Sequence, residues 1–255
     1  MAVLAFHNTD TRRQIGFNNY HPDRLKKILN NLIDRGYTFS PPEEYLKNRR
    51  DVKRLCLTFD DGYEAFYKYA FPLLKELRVP AVIFVPSVFI GRKADWDYAG
   101  GIQKTMHLDA DQISEISDAG FELGSHGYSH TDLTSLNDRM LKIELERSKK
   151  NIEELTGREI KYISYPFGRF NEKVEVFAAQ CGYSNGFSLS FFKKSRIDFT
   201  IPRYGVYTTD TTFSILKKLE CCILNRFEKV KGAIMNSYAS GTILLNKLRS
   251  RNFTA

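Results

Sequence analysis

Short apolar runs alternate with helical patterns along almost all of this 255-residue chain, and that alternation restricts the fold more than any other feature of the sequence. Residues 3–6 (VLAF) read as a strand. After Pro22, a residue type favoured at helix starts, Leu25, Ile28, Leu29, Leu32 and Ile33 recur on one helical face, and Gly36 marks the stop. Further strand runs follow at 55–59, 81–85, 121–125, 160–164 and 184–189. Between them lie helical stretches. One runs to Leu77 with a kink expected at Pro72, and another covers 111–119. A third passes through Leu141, Leu145, Ser148, Ile152 and Leu155 to a cap at Gly157, and a fourth covers 171–181. A less clear stretch, 201–207 (IPRYGVY), precedes a helix near 213–219 and a last strand near 241–245. Parallel strands need crossover connections, so the repetition predicts a parallel sheet. About seven such units, without a change of composition, predict an α/β fold: one closed or nearly closed (β/α) barrel in a single domain covering 1–255.

Composition adds boundaries. Hydrophobic residues at 42% and charged residues at 27% suit a globular core rather than disorder. The net charge of +8 is spread along amphipathic segments such as LKKILNNLIDR and RSKKNIEEL, and no nucleic-acid motif accompanies it, so no nucleic-acid partner is expected. Cys56, Cys181, Cys221 and Cys222 form no C-x-x-C pair and read as free thiols in a reducing compartment. The first ten residues, MAVLAFHNTD, lack the basic and apolar regions of a signal peptide, and no apolar run is long enough to span a bilayer. A cytoplasmic location, with no transmembrane segment, is the expectation.

Chemistry gathers at one end of the expected strands. Functional groups in parallel α/β folds collect at the carboxyl ends of strands. His7 follows the first strand, Asp60-Asp61-Gly62 the strand at 55–59, SHGYSH (125–130) the strand at 121–125, and YPFG (165–168) the strand at 160–164. His126 and His130 have the H-x3-H spacing of two ligands to one metal ion. With Asp61 they would form a two-histidine, one-carboxylate site that leaves positions for water and substrate and suits Zn²⁺, Co²⁺ or Fe²⁺. Adjacent carboxylates disfavour each other's ionisation, unless one is held by a cation and the other is left as a general base. Position alone leaves open which of Asp60 and Asp61 has which role.

These residues resemble the polysaccharide deacetylases of carbohydrate esterase family 4, the NodB homology domain. TFDDG (58–62), SHGYSH (125–130) and YPFG (165–168) resemble its first three motifs, in order, and looser similarity extends over residues 3–206. The resemblance implies a distorted (β/α) barrel and a divalent metal, with Zn²⁺ first and Co²⁺, Fe²⁺ or Ni²⁺ as alternatives. The implied reaction is hydrolysis of acetyl groups on an N-acetylated carbohydrate. It further implies Asp60 as general base, Asp61, His126 and His130 as metal ligands, and the backbone N–H of Phe167 as an oxyanion donor.

Three departures from the family pattern matter. Ser164 stands where the third motif usually carries an Arg that pairs with the base, and Arg203 is the candidate replacement. Asn246 stands where the last motif supplies the histidine that protonates the leaving amine, and His7 is the candidate acid. No convincing fourth motif is present. Tyr165, Tyr128 and Trp96 are candidates for an aromatic floor beneath a sugar ring. Hydrolysis of a non-sugar amide, or glycan binding without turnover, are the alternative readings.

Overall fold

The computed structural model describes residues 2–12, 18–48, 50–93, 105–189, 195 and 197–220. The strand expected at 241–245, together with Trp96, Asn246, Cys221 and Cys222, lies outside the described residues. No described helix is long and apolar enough to cross a membrane.

In chain order the strands are β1 (Ala2–Phe6), β2 (Thr38–Phe39), β3 (Arg54–Phe59), β4 (Ala81–Val85), β5 (Glu122–Ser125), β6 (Tyr162–Ser164), β7 (Asn185–Ser188), β8 (Thr200–Pro202) and β9 (Tyr204–Gly205). The helices are α1 (Pro22–Asp34), α2 (Pro42–Lys47), α3 (Phe71–Leu77), α4 (Ala110–Asp118), α5 (Asp138–Thr156), α6 (Glu172–Gln180) and α7 (Thr212–Glu220). The sheet runs β8-β7-β6-β5-β4-β3-β1-β9, with β2 on the side of β3, and every one of these pairings is parallel. Its two edges are consecutive in sequence. β8 pairs with β7, β9 pairs with β1, and only Arg203 separates them. The segment 200–205 therefore joins the two edges of the sheet and leaves a nearly closed barrel of eight strands, against the seven or so expected.

Side chains alternate across the barrel wall. Val3, Cys56, Val82, Phe84, Tyr162, Phe187 and Ile201 form one buried cluster with Tyr45 of α2, and this fills the lumen. Their neighbours Leu4, Leu57, Ile83, Leu123 and Ile163 pack outward in the larger core that the helices cover. Gly124 has no side chain because there is no room for one: a Cβ there would lie 2.4 Å from the Phe84 ring. Cys56 is sealed in the lumen, where burial pushes its thiol up to about 12.

β2 and α2 escape the periodicity because they are only two and six residues long. The helical stretch expected to reach Leu77 is continuous from residue 64, and it widens into a π turn at Phe66–Ala70 just before Pro72, where the irregular hydrogen bonding accommodates the missing proline N–H.

Candidate metal and catalytic site

The strand register brings the polar groups to one rim. Phe6 pairs with Phe59, and the Asp60 N–H donates to the Phe6 carbonyl at 2.9 Å, so His7 and Asp60 leave adjacent strands side by side. Val85 pairs with Ser125, and the His126 N–H donates to the Val85 carbonyl at 2.9 Å. Ser125 pairs with Ile163, one residue before Ser164.

Asp61, His126 and His130 converge, and all three are buried. Nε2 of His126 lies 3.4 Å from Oδ1 of Asp61, and Nε2 of His130 lies 3.3 Å from the same oxygen. Both separations exceed the roughly 2.7–2.9 Å of a charge-assisted hydrogen bond. Ligand bonds of about 2.0–2.1 Å place neighbouring ligand atoms about 3.3–3.4 Å apart, as these two pairs are, and the three candidate ligand atoms all lie within 4.8 Å of one another. The tautomer of His126 also fits. Its Nδ1 lies 2.7 Å from the Ser164 carbonyl, which can only accept, so the proton sits on Nδ1 and the Nε2 lone pair faces Asp61. The three residues thus fit a divalent cation. Burial alone would raise the Asp61 carboxyl, but the two imidazoles beside it hold it well below the ordinary range.

Asp60 lies beside this cluster with a different partner. Arg203 reaches it from the β8–β9 seam in a two-pronged contact, Nη1 to Oδ1 at 2.8 Å and Nη2 to Oδ2 at 2.7 Å. The same guanidinium donates to Thr58 Oγ1 at 2.9 Å and to Ser164 Oγ at 2.7 Å, and it lies over the Phe84 and Phe187 rings. The Ser164 hydroxyl donates to Oδ2 of Asp60 at 3.2 Å. Burial pushes the Asp60 carboxyl up, but the Arg203 charge and hydrogen bonds together with His126 and His7 more than offset it, so the group is held below its usual value. An arginine is therefore present against Asp60, delivered from another strand than the one carrying Ser164.

His7 is nine-tenths buried, and its Nδ1 makes no hydrogen bond among the described residues. Phe167 is half-buried, with its ring 4.8 Å from that of His130. Its φ of 59° is left-handed, as are those of Asp61 (69°) and His130 (55°). Such conformations cost about 1–3 kcal/mol each in residues with side chains. Among the described residues, three of the five left-handed non-glycine residues belong to this site, at turns where strands end and groups must face inward.

The aromatic floor is not assembled as expected. Tyr165 points out of the barrel and is fully buried, stacked on Phe170 with its hydroxyl 3.1 Å from Thr200 Oγ1, so it offers no face to a sugar. Adjacent strand residues face opposite ways, and Ser164 takes the inward position. Tyr128 is half-buried at the rim, with the Arg147 guanidinium over its ring.

Two residues of the site lie outside the motifs read from the sequence. His107 comes from the segment before α4, and its Nδ1–H donates to the Asp61 carbonyl at 2.7 Å. Burial lowers its pKa to about 4, so it is neutral at pH 7. Glu144 of α5 accepts the N–H groups of Tyr128 and Ser129, each at 2.9 Å. Helical periodicity alone could have placed Glu144 on a buried face, three residues after Leu141.

Comparison with known proteins gives this geometry its context. The polysaccharide deacetylase family model matches residues 47–186, more than half of the chain. This chain belongs to the polysaccharide deacetylase family. Among curated members, the peptidoglycan-N-acetylmuramic acid deacetylase PdaA of Bacillus subtilis is 30% identical over 174 residues, 66% of this chain and 57% of that protein. A poly-β-1,6-N-acetyl-D-glucosamine N-deacetylase of Staphylococcus aureus is 25% identical over 245 residues, 78% of this chain and 80% of that protein. The chain spans only a little over half the length of the relatives that it matches at 30% identity or more. The deacetylase PplD of Streptococcus pyogenes, solved with acetate, shares the fold: the TM-score is 0.74 at 22% identity, over 87% of this chain and 98% of that one.

Proposed function

We propose that this deacetylase-family protein is a metal-dependent hydrolase that removes acetyl groups from N-acetylated sugars of an oligo- or polysaccharide. The observation that carries the reading is the division of labour between neighbouring carboxylates. Asp61 faces two histidines, whereas Asp60 is clamped by Arg203 and kept as a free, ionised base. The curated relatives of this family named above are deacetylases of N-acetylated glycans, which supports the substrate class.

Asp61, His126 and His130 would hold the cation, Zn²⁺ by preference given one carboxylate and two imidazoles at these separations, with Co²⁺, Fe²⁺ or Ni²⁺ able to substitute. When bound, it supplies Lewis-acid polarisation of the acetyl carbonyl and of the attacking water. Asp60 takes the proton from that water, and Arg203 and Ser164 keep its carboxylate oriented and ionised through the step. The Phe167 N–H, on its left-handed turn, donates to the carbonyl oxygen as charge develops there. His7, beside Asp60 at the rim, gives a proton to the leaving nitrogen. The products are acetate and a free amino sugar. Tyr128 lines the mouth where the sugar would sit.

The test is acetate release from N-acetylglucosamine oligomers and from glycans containing N-acetylmuramic acid, set against simple N-acetyl amines. Release from a glycan, lowered about 10²–10⁴-fold in Asp60→Asn, is the expected result. Full activity in Asp60→Asn would overturn the mechanism. Release confined to the simple amines would overturn the substrate class.

A further inference from the structure

Between His126 and His130 the chain makes a loop with no regular structure, and its backbone groups are met almost entirely by one helix and one turn. Gly127 N–H donates to Ser125 Oγ at 3.1 Å. The Gly127 carbonyl accepts from the Ser148 hydroxyl at 2.9 Å and from the Ser87 N–H at 3.3 Å, and the Tyr128 carbonyl accepts from the Val88 N–H at 2.9 Å. The remaining two N–H groups, of Tyr128 and Ser129, both point at one oxygen of Glu144, and the Ser129 hydroxyl donates to the other.

Glu144 is a carboxylate only 4% exposed, on a helix face that it shares with Leu141, Leu145, Ser148 and Ile152. Burying it there costs free energy unless its oxygens are well bonded, and here the three donors that satisfy it all belong to the loop. Glu144 and Ser148 stand one turn apart on α5, so the two form a polar stripe aligned with the loop. Gly127, with a φ of +76°, has no side chain to brace the loop, and a Cβ there would lie 3.4 Å from the Glu144 carboxylate. The histidines at either end of the loop have their imidazole Nε2 atoms within 3.4 Å of Asp61. Any displacement of the loop alters both separations together.

We propose that Glu144 is a positioning residue: it clamps the 127–129 backbone from α5 and so sets the placement of His126 and His130 as a pair of metal ligands. The inference rests on the metal site of the preceding subsection. Only the acceptor oxygens of Glu144 are used, so an amide should serve nearly as well. In Glu144→Gln one oxygen still takes both N–H groups, and the Ser129 hydroxyl can rotate to accept from the amide nitrogen.

The experiment measures Co²⁺ affinity and the visible Co²⁺ absorption spectrum of the full chain, with thermal unfolding of the metal-free protein as a folding control. Residues that orient metal ligands typically change affinity about 10–100-fold when removed. Glu144→Ala is expected to fall in that range with an altered spectrum, while Glu144→Gln stays within a few-fold of wild type with the spectrum kept. Wild-type affinity and spectrum in a folded Glu144→Ala would overturn the inference and leave the proposed function standing. If Glu144→Ala does not fold, Ser129→Ala removes a single prong of the clamp: a smaller loss in the same direction supports the inference, and no change overturns it. Failure of the wild-type chain to bind Co²⁺ overturns the metal site itself, and this inference with it.

Discussion

Arg203 brings a cation to Asp60 from the β8–β9 seam, not from the strand that carries Ser164. It is 1% exposed, yet its guanidinium meets Asp60, Thr58, Ser164 and two aromatic faces, so a buried charge is compensated from several directions. Removing one partner of such a pair leaves an uncompensated charge, at a cost of about 3–5 kcal/mol. Arg203→Ser should therefore lower stability by that order in chemical denaturation and remove most activity. Because Ser164 Oγ already lies 2.7 Å from the guanidinium, an arginine grown from position 164 can reach the same space. The exchange Arg203→Ser with Ser164→Arg should recover at least part of both losses. Equal defects in the single and the exchanged variants would show that the strand of origin matters, not only the charge.

At the scale of elements, the site depends on segments that do not belong to strands. His107 comes from the stretch before α4 and fixes the Asp61 carbonyl where Asp61 turns left-handed. Burial lowers its pKa to about 4, whereas an unfolded chain binds that proton near pH 6.5. The stability from this group is thus complete above about pH 6.5, declines as the pH falls, and is gone below about 4. Between pH 7 and pH 5 it removes about 2 kcal/mol. Urea unfolding of the metal-free protein at the two pH values should show that loss in wild type and a smaller one in His107→Gln. An equal loss in both would assign the acid sensitivity to other groups. The same distinction explains what was legible beforehand. The strands and long helices announce themselves by period, and strand ends located DDG, SHGYSH and His7. Tyr165 was misplaced by one residue of alternation, since the inward position belongs to Ser164. His107 and Glu144 act through backbone groups of distant loops, which leave no spacing to recognise.

Across the whole molecule, the site ties together strands that the sheet alone joins only pairwise. Asp60 and Asp61 follow β3, His126 and His130 follow β5, Ser164 ends β6, and Arg203 sits in the seam that nearly closes the barrel between β7 and β1. Like-charged Asp60 and Asp61 are buried side by side at this junction, so occupancy of the histidine–aspartate cluster should be felt as stability of the entire barrel rather than of a loop. A ligand that binds only the folded state at about one hundred times its Kd adds about 2.7 kcal/mol. In chains of about this size each kcal/mol raises the melting temperature by about 2–4 °C. Adding Zn²⁺ or Co²⁺ to chelator-treated protein should therefore raise the melting temperature by roughly 5–10 °C, and chelator should reverse the rise. In His126→Ala the shift should shrink or vanish, because two ligands are left to hold the ion. A full shift in that variant would place the stabilising cation somewhere other than between Asp61, His126 and His130.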